Sequence, residues 1–319
     1  MNYLGIDVSK AKIDCCLIVD GRYFHRVLKN APDGYAKLAD WLGKYGSAPV
    51  YACLEATGVY SESLADWLHE AGHTVALANP LSIKRFAEMQ LLSVKTDKQD
   101  AKTIAIYCQR NQPQPYSPPP QAERDLKALT RHLDYLKEML VAQQNRRQVA
   151  PAKTAPYIDN VISHLQQQIA EVEAAIQAQI SSDTDLERKA ALLKTVRGIG
   201  KATIPHLLSL FGHKQFKTAK QVTSYLGLNP IVKQSSNSKA KFPAISKKGD
   251  KHIRTSLFMP ALVCHRLPEW KDFIARLKAN GKKGAQITCA IMRKLAIYCY
   301  TVLKTGRPFD ISLVNTANG

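Results

Sequence analysis

The 319 residues predict an α/β domain at the N-terminus, then a helical connector and a mainly helical, basic C-terminal domain. Three observations carry that expectation. The first hundred residues alternate short apolar runs with amphipathic stretches. Leucines and isoleucines then step by three and four along two segments, from Leu126 to Leu140 and from Ile162 to Ile176. The charge is one-sided as well: residues 191–319 carry 23 Lys and Arg against 4 Asp and Glu, the whole of the net +19, while residues 1–190 balance at 22 against 22. The length suits two domains with a connector, expected as 1–112, 113–185 and 186–319.

Taken in order, YLGIDV, IDCCLIV and RYFHRVL read as three strands of an antiparallel meander. DGYAKLADWLGKY has helical spacing, PVYACLE is a strand, VYSESLADWLHEAG a helix and TVALA a strand, before helices in LSIKRFAEM and TDKQDAKTIAIYCQR. That order predicts a mixed sheet with helices on its faces. Five prolines in QPQPYSPPPQ, residues 112–121, mark an extended connector. The two leucine-rich segments then read equally as an antiparallel hairpin or as a coiled coil with a partner chain.

From about residue 190 the chain is helical and basic. LLKTVRGIGKATIPHLLSLFG reads as a helix-hairpin-helix, in which Gly198 and Gly200 let backbone N–H groups approach a phosphate beside Lys201; an ordinary tight turn is the plainer reading. TAKQVTSYLGLNP leads into a polar loop, and helices follow in HIRTSLFMPALVCHR, EWKDFIARLKA and AQITCAIMRKLAIYCYTVLK. A field this one-sided favours a polyanion, and nucleic acid is the commonest. Lys233, Lys239, Lys241, Lys247, Lys248, Lys251 and Arg254 surround the polar loop and suit phosphates, which position a strand without reading its sequence. Seven cysteines with no C-x-x-C pair read as reduced core residues. Asp7 interrupts any signal-peptide run and no stretch is long enough to span a membrane, so a cytoplasmic, nucleoid-associated bacterial protein is expected.

Four acids stand out. Asp7 lies in an otherwise apolar strand, where a charge is costly unless paired or bound to metal. Glu55 ends the run VYACLE and projects from a strand end. Asp97 and Asp100, three apart at a helix start, share a face; the plainer reading makes Asp97 an N-cap and Asp100 a first-turn residue favoured by the dipole. Together they match a ribonuclease-H-like layout holding two Mg²⁺ for phosphodiester chemistry. Asp14, Asp20 and Asp33 sit near turns and read as solvated or capping residues.

GIDVSK, LEATG, KTDKQDA, the GIG hairpin, SYLGLNP with its Ser-rich loop, ISKKGDKHIR and ANGKKG occur in the order of one family. As an ordered set they resemble the DEDD transposases of insertion-sequence family one-ten, with the Piv-type DNA invertases, over essentially the whole chain. The resemblance implies a RuvC-like, ribonuclease-H-like N-terminal domain, a coiled-coil connector and a C-terminal transposase domain carrying a nucleophilic serine. It puts Asp7, Glu55, Asp97 and Asp100 on the acidic tetrad, which binds Mg²⁺ or Mn²⁺. The family serine falls five residues beyond the proline of Gly227-Leu228-Asn229-Pro230, at Ser235. Where the family usually has Gly this chain has Ser236, so Ser236 and, more remotely, Ser238 stay open. The resemblance further implies donor and target double-stranded DNA, a structured bridge RNA and a homo-oligomer of dimers assembling to a tetramer. A RuvC-like nuclease or junction resolvase without a serine nucleophile is the alternative. A sugar kinase of actin-like fold fits less well, since Val8-Ser9-Lys10 gives no Gly-rich phosphate loop. A non-enzymatic nucleoid binder would leave the acids unexplained.

Overall fold

A computed structural model of the chain describes residues 1–46, 49–56, 58–90, 96–212, 216–231 and 245–311. The chain divides into two compact units, Met1–Pro118 and Pro119–Gly319.

The first unit is built on a five-stranded sheet of order β3-β2-β1-β4-β5, made of β1 (Asn2–Val8), β2 (Lys12–Val19), β3 (Arg22–Lys29), β4 (Val50–Glu55) and β5 (Thr74–Ala78). Strands β1, β2 and β3 form an antiparallel meander, and β4 and β5 run parallel to β1. The mixed sheet expected from the run order is therefore present. Period-two alternation gives it two buried faces. Leu4, Ile6, Val8, Ile13, Leu17 and Leu54 pack against α1 (Pro32–Gly43) and α2 (Val59–Glu70), through residues such as Leu38, Trp41, Leu64 and Leu68. On the opposite face, Cys16, Ile18, Tyr51 and Cys53 meet α3 (Pro80–Met89) and α4 (Asp97–Asn111), through Ile83, Ala101, Ile104, Ala105 and Cys108. Each buried leucine contributes about 2 kcal/mol by removal from water. The proline-rich stretch after α4 has no regular structure but is tied down: Tyr116 N–H donates to the Val75 carbonyl at 2.6 Å, and its hydroxyl to Asp66 at 2.9 Å.

The second unit is helical. The 28-residue helices α5 (Gln121–Gln148) and α6 (Ala155–Ser182) lie side by side in opposite directions, joined along their length by Lys137–Glu173 and Arg147–Asp159 ion pairs, both 2.7 Å. α7 (Thr184–Lys194), α8 (Ile204–Phe211), α9 (Ala219–Tyr225), α10 (Lys251–Ser256), α11 (Phe258–Cys264), α12 (Lys271–Ala279) and α13 (Gly284–Thr305) share a core with the base of that pair, around Leu126, Leu193, Leu207, Trp270 and Leu295. The helix expected over HIRTSLFMPALVCHR is broken into α10 and α11 at Leu257. Pro260 has no N–H for the Ser256 carbonyl four residues back, and the Thr203 hydroxyl donates to that carbonyl instead, at 3.2 Å. All seven cysteines are free thiols, as expected. Among the described residues no helix is long and apolar enough to cross a membrane.

Candidate functional site

Strand register brings the first-unit acids together. Asp7 on β1 stands directly opposite Asp14 on β2. On the other side β1 pairs with β4 through Ile6 and Leu54, so the next residues, Asp7 and Glu55, lie at the C-terminal ends of neighbouring strands, one residue short of the end in β1, on the same face as Gly5 and Cys53. Three carboxylates thus form a row across β2, β1 and β4, under the N-terminus of α4.

The helix comes this close because of Gly5. A Cβ on Gly5 would run into the Ala101 carbonyl oxygen and the Ala105 nitrogen, so α4 lies directly on the strand backbone. Asp97 is one helical turn before Ala101, and Asp100 precedes it immediately, which brings both over the Asp7 end of the sheet. The cap of α4 is Thr96, whose hydroxyl accepts from Gln99 N–H at 3.2 Å. Asp97 is therefore released from capping, contrary to its plainer reading, while Asp100 does occupy the first turn.

Asp14 corrects an expectation. It is 7 % exposed in the middle of a paired strand, not a solvated turn residue. Asp20, at φ 48° in the β2–β3 turn, and Asp33, exposed in the first turn of α1, are where they were expected. Lys12, also unanticipated, reaches Asp97 at 2.6 Å and Asp14 at 3.0 Å. The tight turn at Ser9–Ala11 was the available signal, since it fixes the register that sets Asp14 against Asp7 and Lys12 two residues away on the same face.

Burial first, and then the charges of Asp100, Asp97 and Asp14, hold the Asp7 carboxyl above its usual range; Lys12 offsets part of that. The hydrogen bond to Lys12 holds Asp97 low, and the hydrogen bonds to Asp97 and Asp14 push Lys12 up to about 12. Like charges directly opposite on a ladder are unfavourable, so the row calls for a cation, and the Lys12 ammonium now serves it. Among the described residues no three His, Cys, Asp or Glu side chains stand close enough to hold a metal ion. The donor set still fits a hard divalent cation by chemistry, because it is all carboxylate oxygen and short of positive charge.

A basic strip flanks the acids. Lys98 and Lys102 on α4 face His25 on β3, whose imidazole is pushed down by burial and then by those two charges. Lys102 Nζ lies 4.2 Å from the centre of the Tyr23 ring. The even charge balance of this half of the sequence concealed the strip.

In the second unit, Ser235, Ser236, Ser238, Lys233, Lys239 and Lys241 lie outside the described residues. The residues on either side of them are described: Pro230 bridges Ile245, and Gly227 at φ 66° approaches the backbone of Lys247 and Lys248 too closely for a Cβ. Lys247, Lys248 and Lys251 are exposed there, whereas Arg254 turns inward and donates to the Leu226 carbonyl at 3.1 Å. Gly198 backs onto Cys264 and Pro260 at φ 93°, Gly200 is open, and Lys201 is exposed.

Two family descriptions match, "Transposase" over residues 4–150 and "Transposase IS116/IS110/IS902 family" over residues 190–275. The pilin gene-inverting protein of Moraxella lacunata is 35 % identical over 313 residues, covering 97 % of both chains. This chain belongs to that transposase family. The transposase for insertion sequence element IS1328 of Yersinia enterocolitica is 25 % identical over 282 residues, covering 77 % of this transposase and 82 % of that protein. A solved structure of T. thermophilus RuvC in complex with Holliday junction substrate is 16 % identical, covers 36 % of this transposase and 99 % of that chain, and has a TM-score of 0.26. Family membership makes the transposase a DNA-recombining enzyme.

Proposed function

We propose that this transposase cuts and rejoins double-stranded DNA at insertion-sequence ends through a covalent phosphoserine link, with a ribonuclease-H-like first unit supplying the acidic half of the site. The observation that carries the reading is the convergence of Asp7, Glu55 and the first turn of α4 on one sheet edge. The strand order, a meander followed by two strands parallel to β1, supports the fold assignment. Asp7, Glu55, Asp97 and Asp100 would hold the divalent cations, Mg²⁺ or Mn²⁺. Bound there, the cations would activate the attacking oxygen and stabilise the leaving one.

The chain's own residues account for the rest. Asp7 and Asp14 supply charge that favours a cation over bulk water, and Lys12 bridges Asp97 and Asp14 until one arrives. Lys98 and Lys102 hold the strand's phosphates beside the acids. The Ser235 hydroxyl oxygen forms a bond to phosphorus as the bond from phosphorus to a deoxyribose oxygen breaks. The serine proton passes to solvent, and the departing oxygen is protonated. Reversal with a different deoxyribose hydroxyl rejoins the strands and releases serine. Gly198, Gly200 and Lys201 in a helix-hairpin-helix, with Lys233, Lys239, Lys241, Lys247, Lys248 and Lys251, bind backbone, while Arg254, spent on the Leu226 carbonyl, steadies the chain beneath them. The family resemblance supports a bridge RNA that selects donor and target, and a coiled-coil dimer through α5 and α6 that assembles to a tetramer.

Denaturing gels of protein incubated with a donor junction and Mg²⁺ test the serine step. Wild type is expected to leave a protein–DNA adduct and Ser235→Ala none, with DNA binding intact. An equal adduct in Ser235→Ala overturns the serine assignment; cleavage with no adduct in either favours water as the nucleophile.

A further inference from the structure

The edge of the sheet beside the acids is open on one side. β3 ends the strand order, and α4 packs along β1, β2 and β4 and leaves it largely uncovered. The two faces of β3 differ accordingly. Phe24 and Leu28 join the core under α1, with the Phe24 ring 4.3 Å from that of Tyr45. Tyr23, His25 and Val27 alternate onto the α4 side, where Tyr23 is 43 % and Val27 59 % exposed. Register ties this row to the candidate site. Tyr23, His25 and Val27 stand opposite Ile18, Cys16 and Asp14 on β2, and Asp14 stands opposite Asp7. Val27 is thus two strand spacings from Asp7, about 10 Å. Lys98 and Lys102, four residues apart on one face of α4, border the row: both charges reach His25, and Lys102 Nζ lies beside the Tyr23 ring. His25 Nε2 is 3.8 Å from Cys16 Sγ, which holds the imidazole against the sheet.

We propose that the α4 side of β3 is a stacking shelf for an unpaired DNA strand, with successive bases on Tyr23 and His25 and the backbone along Lys98 and Lys102. The inference rests on reading the acid row as the place where DNA is cut. Charge decides against a second copy of this chain at the edge. The strand sequence RYFHRVLK holds Arg22, Arg26 and Lys29 and no acid, so two β3 strands brought edge to edge would repel, whereas a polyanion is attracted. Spacing decides between duplex and single strand. Alternate residues of a β-strand are about 6.8 Å apart, and residues four apart rise about 6 Å along a helix. Successive nucleotides of a duplex strand advance only about 3.4 Å and keep their faces stacked on one another, so they cannot occupy both rings. A strand opened beside a cut presents its base faces and reaches both. Aromatic rings next to cations are the means by which single strands are held without regard to sequence, since every base has a π-face.

The test uses the full-length chain with a chelator, so that binding is read apart from cleavage, and two labelled DNA duplexes. One is fully paired, and the other contains an unpaired stretch of about six nucleotides. Anisotropy titrations are expected to show wild type preferring the unpaired stretch about tenfold. Tyr23→Phe should keep that preference. Tyr23→Thr, which suits an exposed strand position but lacks the ring, should remove it. A preference unchanged in Tyr23→Thr, or lost equally in Tyr23→Phe, overturns the shelf. Iododeoxyuridine in the unpaired stretch gives a second reading: irradiation should join it to Tyr23 or His25, and adducts confined to the second unit overturn the proposal. An RNA strand of the same sequence that competes more strongly than the DNA strand overturns the assignment to DNA. Where the preference holds but Mg²⁺ supports no cleavage, the reading of the acid row fails and the shelf stands.

Discussion

Asp7 is a residue kept at a cost to the fold. Its carboxyl is held above the ordinary 3.8 by burial and by the acids around it, so the folded chain binds that proton more tightly than the unfolded chain does. The sign follows: Asp7 is harmless to stability in acid, and costs stability as pH rises from 3.8 through its raised folded value. In metal-free buffer at pH 7 we therefore expect Asp7→Asn to melt about 2 °C higher than wild type, with the gain vanishing below about pH 3.5, while strand cleavage is lost. Mg²⁺ at about ten times its Kd should raise the wild-type melting temperature by about 3 °C and leave Asp7→Asn unmoved. Differential scanning calorimetry across the pH series reads both, and a variant that melts lower than wild type without metal would show that Asp7 is a structural residue. Lys12 belongs to the same balance, because its ammonium answers Asp97 and Asp14 in the absence of another cation.

At the scale of elements, the site depends on how closely α4 lies on β1. Gly5→Ala places a methyl group against the Ala101 and Ala105 backbone, which cannot rotate aside as a side chain can, so the helix must shift. The expected cost is about 2 kcal/mol by chemical denaturation, with cleavage lost although every acid is intact. Thr96→Ala is the control: losing the cap costs about 1 kcal/mol but leaves the helix seated, so activity should survive better than in Gly5→Ala. If Gly5→Ala cleaves normally, close seating does not set the acids' geometry. These elements were legible in the sequence to different degrees. The strands of the first unit and both late helices of the sheet follow from period and composition; Asp7 stands out as a charge in an apolar strand and Glu55 as the end of one, whereas Asp97 and Asp100 read only as a helix start and join them through the family resemblance. Asp14 was not legible from its neighbours in sequence, because only the pairing of β1 with β2 makes it part of the row. Nor was the α10–α11 break, since the proline that causes it is tolerated in a first helical turn and gives no warning from periodicity. The pairing of His252 with Asp134 spans 118 residues, a separation that no local pattern reports.

For the whole molecule, the charge asymmetry sets the basic last third apart from the acids of the candidate site, as the proposed division between holding nucleic acid and acting on it requires. The final 129 residues carry the entire net +19, and the acids of the candidate site lie in the balanced half. Counterion release makes affinity fall with salt in proportion to the phosphates neutralised, by about 0.9 in log–log slope per contact on duplex DNA. Lys247, Lys248 and Lys251 are exposed just beyond the Pro230–Ile245 bridge, so changing all three to Gln should lower the slope by about 3 and weaken binding to all sequences alike. Asp7→Asn should leave the slope within about 0.5 of wild type, because it removes no phosphate contact. Fluorescence anisotropy over a salt series measures both. An unchanged slope in the triple variant would mean that these lysines are a solvated surface, and that the basic field binds elsewhere in the second unit. A slope that drops with sequence preference intact is the outcome expected of lysines that grip the backbone and read no base.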